Sequence, residues 1–267
     1  MIFANVTDWT IPEGAVNKVT DSLGRVIWQK QTPPTPPIPS DEYFYIEDTS
    51  GANQILHIKK HSNSDSPSIE VFYSTNKTVW HSMGTTSITG IMAQIPANSK
   101  LYLKCTTNSW CTDNYNYMYC DGSYIIGGNI MSLLNGDNFV NTTLVSGTND
   151  YAFGHLFYTD TNLTDASNLI LPNTVTRSCY SYMFAHTNLK GTPVLPATTL
   201  APYCYSNMFN YTRTNEITTY ANDISATDCL SDWLRSVALT GDFYNLGSAT
   251  YTSGASGIPT GWTEHTS

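Results

Sequence analysis

The 267-residue chain is long enough for one large or two modest domains, yet charged residues make up only 12% of it, about half of the usual share of roughly 25%. Its formal net charge of −9 disfavours a nucleic-acid binder, which would need basic residues against phosphates, and no apolar run approaches the ~20 residues that cross a bilayer. The 18 tyrosines, which combine a large contact area with a polar tip, favour a protein that binds or assembles.

Residues 1–31 contain two tryptophans and a turn signal, but almost no hydrophobic core of their own. Alternating residues on both sides of the turn at 21–24 predict a small hairpin. Since a lone hairpin is only marginally stable in water, we interpret the segment as an anchor that becomes ordered by docking on another protein. A loose tail, or a strand that folds back on the next domain, is the alternative. The predicted anchor residues are Trp9, Ile11, Pro12, Val19, Val26, Ile27 and Trp28.

Residues 32–40 are rich in proline. Five of the 13 prolines of the chain occur within residues 32–39. Such a run favours extended polyproline II geometry at about 3.1 Å per residue, which predicts a stiff spacer of roughly 25 Å. We therefore expect this segment to separate the anchor from the main body of the protein.

Residues 41–110 carry short runs of β-branched and aromatic residues, separated by Ser, Asn, Gly and Asp at intervals of about ten residues. The runs occupy positions 43–46, 55–58, 69–73, 78–80 and 101–103. This spacing is typical of strands joined by tight turns, so it predicts a small antiparallel β-sandwich.

Residues 111–267 contain an internal repeat. Three similar hexapeptides at 179–184, 204–209 and 229–234 begin with cysteines that stand 25 residues apart, and a more divergent copy precedes them at 152–157. A fixed period of this size predicts a solenoid whose coils bury their apolar residues against one another, with an atypical capping coil at 130–139. The predicted repeat core consists of Cys179, Met183, Phe184, Leu189, Cys204, Met208, Phe209, Cys229 and Trp233.

The repeated cysteines are expected to be buried free thiols, because cysteine behaves as a small hydrophobic residue. For the earlier cysteines, the spacing leaves a Cys105–Cys111 or a Cys111–Cys120 disulfide open, and it is too wide for paired zinc ligands. The repeat region holds four basic against twelve acidic residues. Solubility, a cationic partner or calcium would each account for this imbalance.

No catalytic motif is present in the sequence: it lacks a serine nucleophile elbow, a phosphate-binding glycine loop and a zinc-binding His-Glu-x-x-His pattern. His155 and His186 fall within repeat coils, where we expect them to line one face. We predict a non-enzymatic protein without a cofactor or metal. A polysaccharide depolymerase is the weaker alternative, because no acid/base pair of carboxylates can be singled out.

The strings 179–184, 188–189, 195–200 and 204–209 resemble the BspA-like leucine-rich repeats of Bacteroidetes and their phages. The resemblance covers roughly residues 41–267 and implies a β-rich interaction surface, sometimes an adhesin, with no catalytic residues. The sequence thus predicts a mainly β protein with a short N-terminal anchor hairpin, a small antiparallel β-sandwich and a short C-terminal leucine-rich-repeat-like solenoid.

The N-terminal strings 9–14, 18–21 and 24–28 resemble the leader of virion appendage proteins in crAss-like phages that infect Bacteroides. This resemblance implies a head fibre or capsid decoration that is assembled in the host cytoplasm and docks on a capsid protein through residues 1–31. A homotrimer is expected by analogy with such appendages. A surface adhesin or glycan-binding module, with a host cell-surface glycan as partner, and a tail fibre are the alternatives, and no membrane insertion is expected.

Overall fold

The computed structural model describes residues 18–20, 26–29, 41–62, 66–111 and 115–266. Of the predicted anchor residues, Trp9, Ile11 and Pro12 lie outside the described residues, as does the proline-rich spacer at 32–40. The chain divides into two compact units, Met1–Pro34 and Thr35–Ser267.

In the first unit, strand β1 (Lys18–Thr20) pairs antiparallel with β2 (Val26–Gln29). Val19 stands opposite Trp28, and the register shifts between Val19 and Thr20. The remaining predicted anchor residues therefore lie in two paired strands.

The second unit is mainly β, as predicted, and short loops join most of its strands. The strands are β3 Tyr45–Asp48, β4 Gln54–Lys60, β5 Glu70–Ser74, β6 His81–Thr85, β7 Ile91–Ile95, β8 Lys100–Cys105, β9 Asn116–Cys120, β10 Tyr124–Asn129, β11 Leu163–Ile170, β12 Glu216–Thr219, β13 Gly241–Asn245 and β14 Trp262–Thr266. Helix α1 (Ser132–Asn135) and a 3-10 turn (Gly136–Asn138) lie within the expected capping coil at 130–139.

Two sheets form the first half of this unit. The larger has six strands in the order β11-β10-β3-β8-β5-β6, in which only β10 and β11 are parallel, and the smaller has the antiparallel order β7-β4-β9. Strands β9, β10 and β11 follow residue 110 in the chain. Both sheets therefore extend from the predicted sandwich region, 41–110, into the region that the sequence assigned to repeats.

The sheets form because apolar and polar residues alternate along their strands. In β4 the side chains of Leu56 and Ile58 are fully buried, whereas those of Ile55 and His57 are partly exposed. The buried residues of both sheets belong to one hydrophobic core. Gly128 allows close backbone approach at the end of β10: its φ is +74°, and a Cβ there would lie 2.1 Å from the carbonyl oxygen of Tyr43.

The repeats form four turn segments, at 151–159, 178–186, 203–211 and 228–236, which we call the turn ladder. In each segment the first, fifth and ninth residues have a left-handed φ between 50° and 64°, although none of these residues is glycine. Such a conformation costs roughly 1–2 kcal/mol per residue, so the surrounding structure must stabilise it. In the second segment these residues are Ser178, Tyr182 and His186.

Backbone hydrogen bonds in the turn ladder alternate between two directions. The N–H of Tyr180 donates to the carbonyl of Cys204 in the next segment (3.0 Å), and that of Tyr182 donates to Ser206 (3.0 Å). The intervening Met183 N–H donates within its own segment to Tyr180 (3.1 Å), three residues earlier. Because each unusual turn leaves every second N–H directed at the neighbouring segment, stacking of the segments stabilises their left-handed residues.

Aromatic rings stack in register inside the turn ladder. One column runs through Phe153, Tyr180, Tyr205 and Trp233, with ring centroids 5.7, 5.9 and 6.4 Å apart. A second column joins Phe157, Phe184 and Phe209 at 5.7 Å per step. The nine residues predicted for the repeat core are all buried, at 3% exposure or less.

All six cysteines are free and buried, so the structure contains neither of the disulfides that the sequence left open. Burial raises the pKa of each repeat thiol, to about 12 for Cys179. Since only the thiolate is nucleophilic, these cysteines act as inert packing groups.

The last strands form a parallel sheet in the order β12-β13-β14. Trp262, at the start of β14, donates from Nε1 to the carbonyl of Ala238 at 2.8 Å. Trp233 donates from its indole to the carbonyl of Gly257 at 3.0 Å. The expected C-terminal lid at 257–262 thus hydrogen-bonds to the last turn segment and the strand that follows it.

Candidate functional site

A continuous group of tyrosine and histidine rings lies on the surface of the second unit, and we call it the aromatic belt. It consists of His57, His61, Tyr115, Tyr117, Tyr119, His155, Tyr158, Tyr182, His186 and Tyr211. Strand β9 contributes alternate residues from its partly exposed face, and the turn ladder contributes residues that point away from its core. The belt therefore continues from the small sheet onto the repeats.

The centre of the belt is a column of parallel rings. His61, Tyr115, His155 and Tyr182 stack in that order, with centroids 4.6, 4.4 and 4.9 Å apart. Tyr158 crosses this column at right angles, meeting Tyr182 at 87° and His186 at 89°. Because the stacked rings cover one another's faces, the belt presents mainly ring edges, hydroxyls and ring nitrogens outward.

His155 is held as the neutral imidazole. Its burial, together with the nearby charge of His61, lowers its pKa from 6.5 to about 4, and its buried Nδ1 has no hydrogen-bond partner among the described residues. A neutral ring between two tyrosines makes this part of the belt a rigid, uncharged element at neutral pH.

A groove lies beside the belt-independent part of the turn ladder, near the start of α1. Its first section has a volume of about 440 Å³, which is within the usual range of roughly 300–1,000 Å³ for ligand sites. The lining residues of this section are Asn129, Met131, Asn141, Thr142, Thr143, Ile170, Leu171, Pro172, Asn173, Pro196, Thr198 and Tyr220. A second section of about 800 Å³ adjoins it through the shared residues 141–143.

The groove lining is uncharged in both sections, although the chain carries a net charge of −9. Amides and hydroxyls alternate there with prolines and aliphatic side chains. The side chains of Asn141, Thr143, Asn173 and Thr198 make no hydrogen bond within the part of the chain that the structure describes, and all four are exposed. They are therefore available to a ligand that offers neutral hydrogen-bonding groups.

Two buried tyrosines near these surfaces differ in how their hydroxyls are satisfied. The hydroxyl of Tyr124 donates to Asp160 Oδ2 at 2.6 Å, whereas that of Tyr180 has no partner among the described residues. Burial raises the pKa of both phenols well above the ordinary value, and it also raises the pKa of the Asp160 carboxyl. Tyr124 and Asp160 thus form a polar pair that links β10 to the end of the first turn segment.

No group of three or more His, Cys, Asp or Glu residues within the described ranges could hold a metal ion. Among the same residues no helix is long and apolar enough to span a membrane. The structure places His155 and His186 together in the aromatic belt. The groove was not predicted, because its lining comes from four stretches of chain that are far apart in sequence and carry no shared motif.

Comparisons of the chain with protein-family models, with curated protein sequences and with solved structures found no match.

Proposed function

We propose that this chain is a non-enzymatic structural protein of a phage virion, a head fibre or capsid decoration that docks through residues 1–31. The observation that carries the proposal is the division of the chain into two compact units at residues 34 and 35, within the proline-rich spacer. A small unit with its own paired strands suits attachment, and a large unit with extended surfaces suits contact with a second partner.

The turn ladder supports the contact role of the large unit. We infer that it is a short leucine-rich-repeat-like solenoid, because equivalent residues of successive segments hydrogen-bond at intervals of 24 to 27 residues along the chain. Each segment buries its apolar residues against its neighbours, which leaves the outer residues free to form a continuous surface. The resemblance of the repeats to BspA-like proteins agrees with this interpretation.

A surface adhesin is the second candidate, and the aromatic belt is the observation that favours it. Tyrosine is enriched in interfaces because it offers contact area and a hydroxyl at a low entropic cost. An adhesin would use the same surface of the large unit but would not require incorporation into a particle.

Particle incorporation separates these candidates. The full-length chain and a chain lacking residues 1–31 would each be expressed during infection, and the amount that co-purifies with virions would be measured. We expect the full-length chain in the particles and the truncated chain outside them. A Trp9→Ala, Trp28→Ala variant, with Val79→Ala on the exposed surface of the second unit as its control, tests the same point with smaller changes.

Equal incorporation of the truncated and full-length chains would refute the anchor. Absence of the full-length chain from virions would refute the virion role and leave the adhesin. Sedimentation of the purified chain tests the expected homotrimer, whose mass would be three times 29.5 kDa.

A further inference from the structure

We propose that the groove lined by residues 129–143, 170–173 and 196–220 binds a neutral oligosaccharide. The proposal rests on the contact role of the second unit and is independent of the anchor. The groove is argued from its shape, its lack of charge and the state of its polar side chains.

The lining matches the two surfaces of a sugar ring. Hydroxyl groups around a sugar require donors and acceptors, and the side chains of Asn141, Asn173 and Thr198 provide both without first breaking a hydrogen bond within the described structure. The C–H groups of the ring require apolar surface, which Pro172 and Pro196 provide within the same section.

Charge decides against other ligands. Neither section is lined by a Lys, Arg, Asp, Glu or His residue, so a phosphate, a sulfate or a uronic acid would leave water without gaining an ion pair. The net charge of −9 adds repulsion toward anions. A neutral glycan incurs neither cost.

The groove is also held in place by the fold. Thr142 donates from Oγ1 to the carbonyl of Phe139 (2.7 Å) and accepts from Nδ2 of Asn135 (3.2 Å), which fixes the segment shared by the two sections. On the opposite side, Leu144 N–H donates to Thr174 Oγ1 at 2.9 Å. A groove with rigid walls loses little entropy on binding, which favours a weak polar ligand.

The test is titration calorimetry of the full chain with laminarihexaose, mannohexaose and xylohexaose, with hexagalacturonic acid as the anionic comparison. We expect at least one neutral hexasaccharide to bind with a micromolar to millimolar Kd that does not change with salt, and no binding of the anion. The blocking variant Asn173→Trp, Thr198→Trp should weaken this binding by more than about tenfold. The control Thr263→Trp, on the exposed face of β14, should leave it unchanged.

A second variant, Asn173→Ala with Thr198→Ala, removes the polar groups without filling the groove and should weaken binding to a smaller extent. Binding of none of the neutral sugars, equal binding of the anion, or full binding by the blocking variant would each overturn the proposal. Binding of a neutral Ser/Thr-rich hexapeptide in place of the sugars would overturn it as well. In the incorporation assay the blocking variant should enter virions normally, so failure of the groove and failure of the anchor are distinguishable.

Discussion

Removal of the Tyr180 hydroxyl should stabilise the protein. Tyr180 is fully buried in the turn ladder, its ring stacks between those of Phe153 and Tyr205, and its hydroxyl has no hydrogen-bond partner among the described residues. Burying an unpaired hydroxyl costs about 1–3 kcal/mol in proteins. Tyr180→Phe keeps the stacked ring and removes this cost, while losing the few contacts of one oxygen atom. The expected gain in the free energy of unfolding is about 1 kcal/mol.

The matched variant is Tyr124→Phe, which makes the same chemical change at another fully buried tyrosine. There the hydroxyl donates to Asp160 at 2.6 Å, and its loss leaves the buried carboxyl of Asp160 without this donor. We expect a loss of about 2 kcal/mol, because a hydrogen bond to an acidic group contributes roughly 1.5–3 kcal/mol. The two substitutions should therefore change stability in opposite directions.

Urea unfolding of the full chain, followed by tryptophan fluorescence, measures both changes as shifts of the midpoint at constant slope. Thermal unfolding offers a second measurement, in which about 1 kcal/mol corresponds to roughly 2–4 °C for a unit of this size. A Tyr180→Phe variant that unfolds at a lower urea concentration than the natural protein would refute the reasoning, as would a Tyr124→Phe variant of unchanged stability.

Three further predictions concern the turn ladder and the sheets. Because the pKa of His155 is about 4 when folded and about 6.5 when unfolded, the free energy of unfolding should decrease as pH falls from 6.5 to 4, by about 2–3 kcal/mol, and His155→Phe should abolish this part of the pH dependence in urea titrations at each pH. Asp228 is exposed with a φ of 50°, so Asp228→Val should cost about 1–2 kcal/mol, while Thr227→Val, at an exposed neighbour outside the left-handed positions, should change stability by less than about 0.5 kcal/mol; equal effects would show that the backbone conformation is not responsible. Gly128→Ala should lower the urea midpoint through both the left-handed φ and the clash with Tyr43, and an unchanged midpoint would contradict this packing.

The repeat core was predictable because burial depends on a local pattern. Met183, Phe184 and their equivalents recur every 25 residues, and a side chain that recurs at a fixed period among polar neighbours is buried wherever the coils stack. The mainly β class was predictable for the same reason, since the alternation in segments such as 54–60 leads directly to one buried and one exposed face.

The conformation of the repeats was not predictable from the same pattern. Short strand and helical turns were expected, whereas the turn ladder places residues such as Tyr182 and His186 in left-handed conformations that local propensity disfavours. Only the hydrogen bonds to neighbouring segments offset this cost, and those bonds join residues more than 20 positions apart.

The extent of the sheets likewise depended on long-range pairing. Strand β9 pairs with β4, and β10 pairs with β3, across about 60 to 80 residues of intervening chain. No composition change at residue 110 marks this continuity, because a strand that joins an existing sheet looks the same in sequence as one that begins a new one.

The sequence by itself determined the fold class, the period of the repeats and the residues that fill their core, because burial of apolar side chains follows from spacing along the chain. The tertiary structure decided the left-handed turn ladder, the aromatic belt and the uncharged groove. These features arise where distant segments meet, and their energy comes from contacts between segments rather than from the preferences of any one of them.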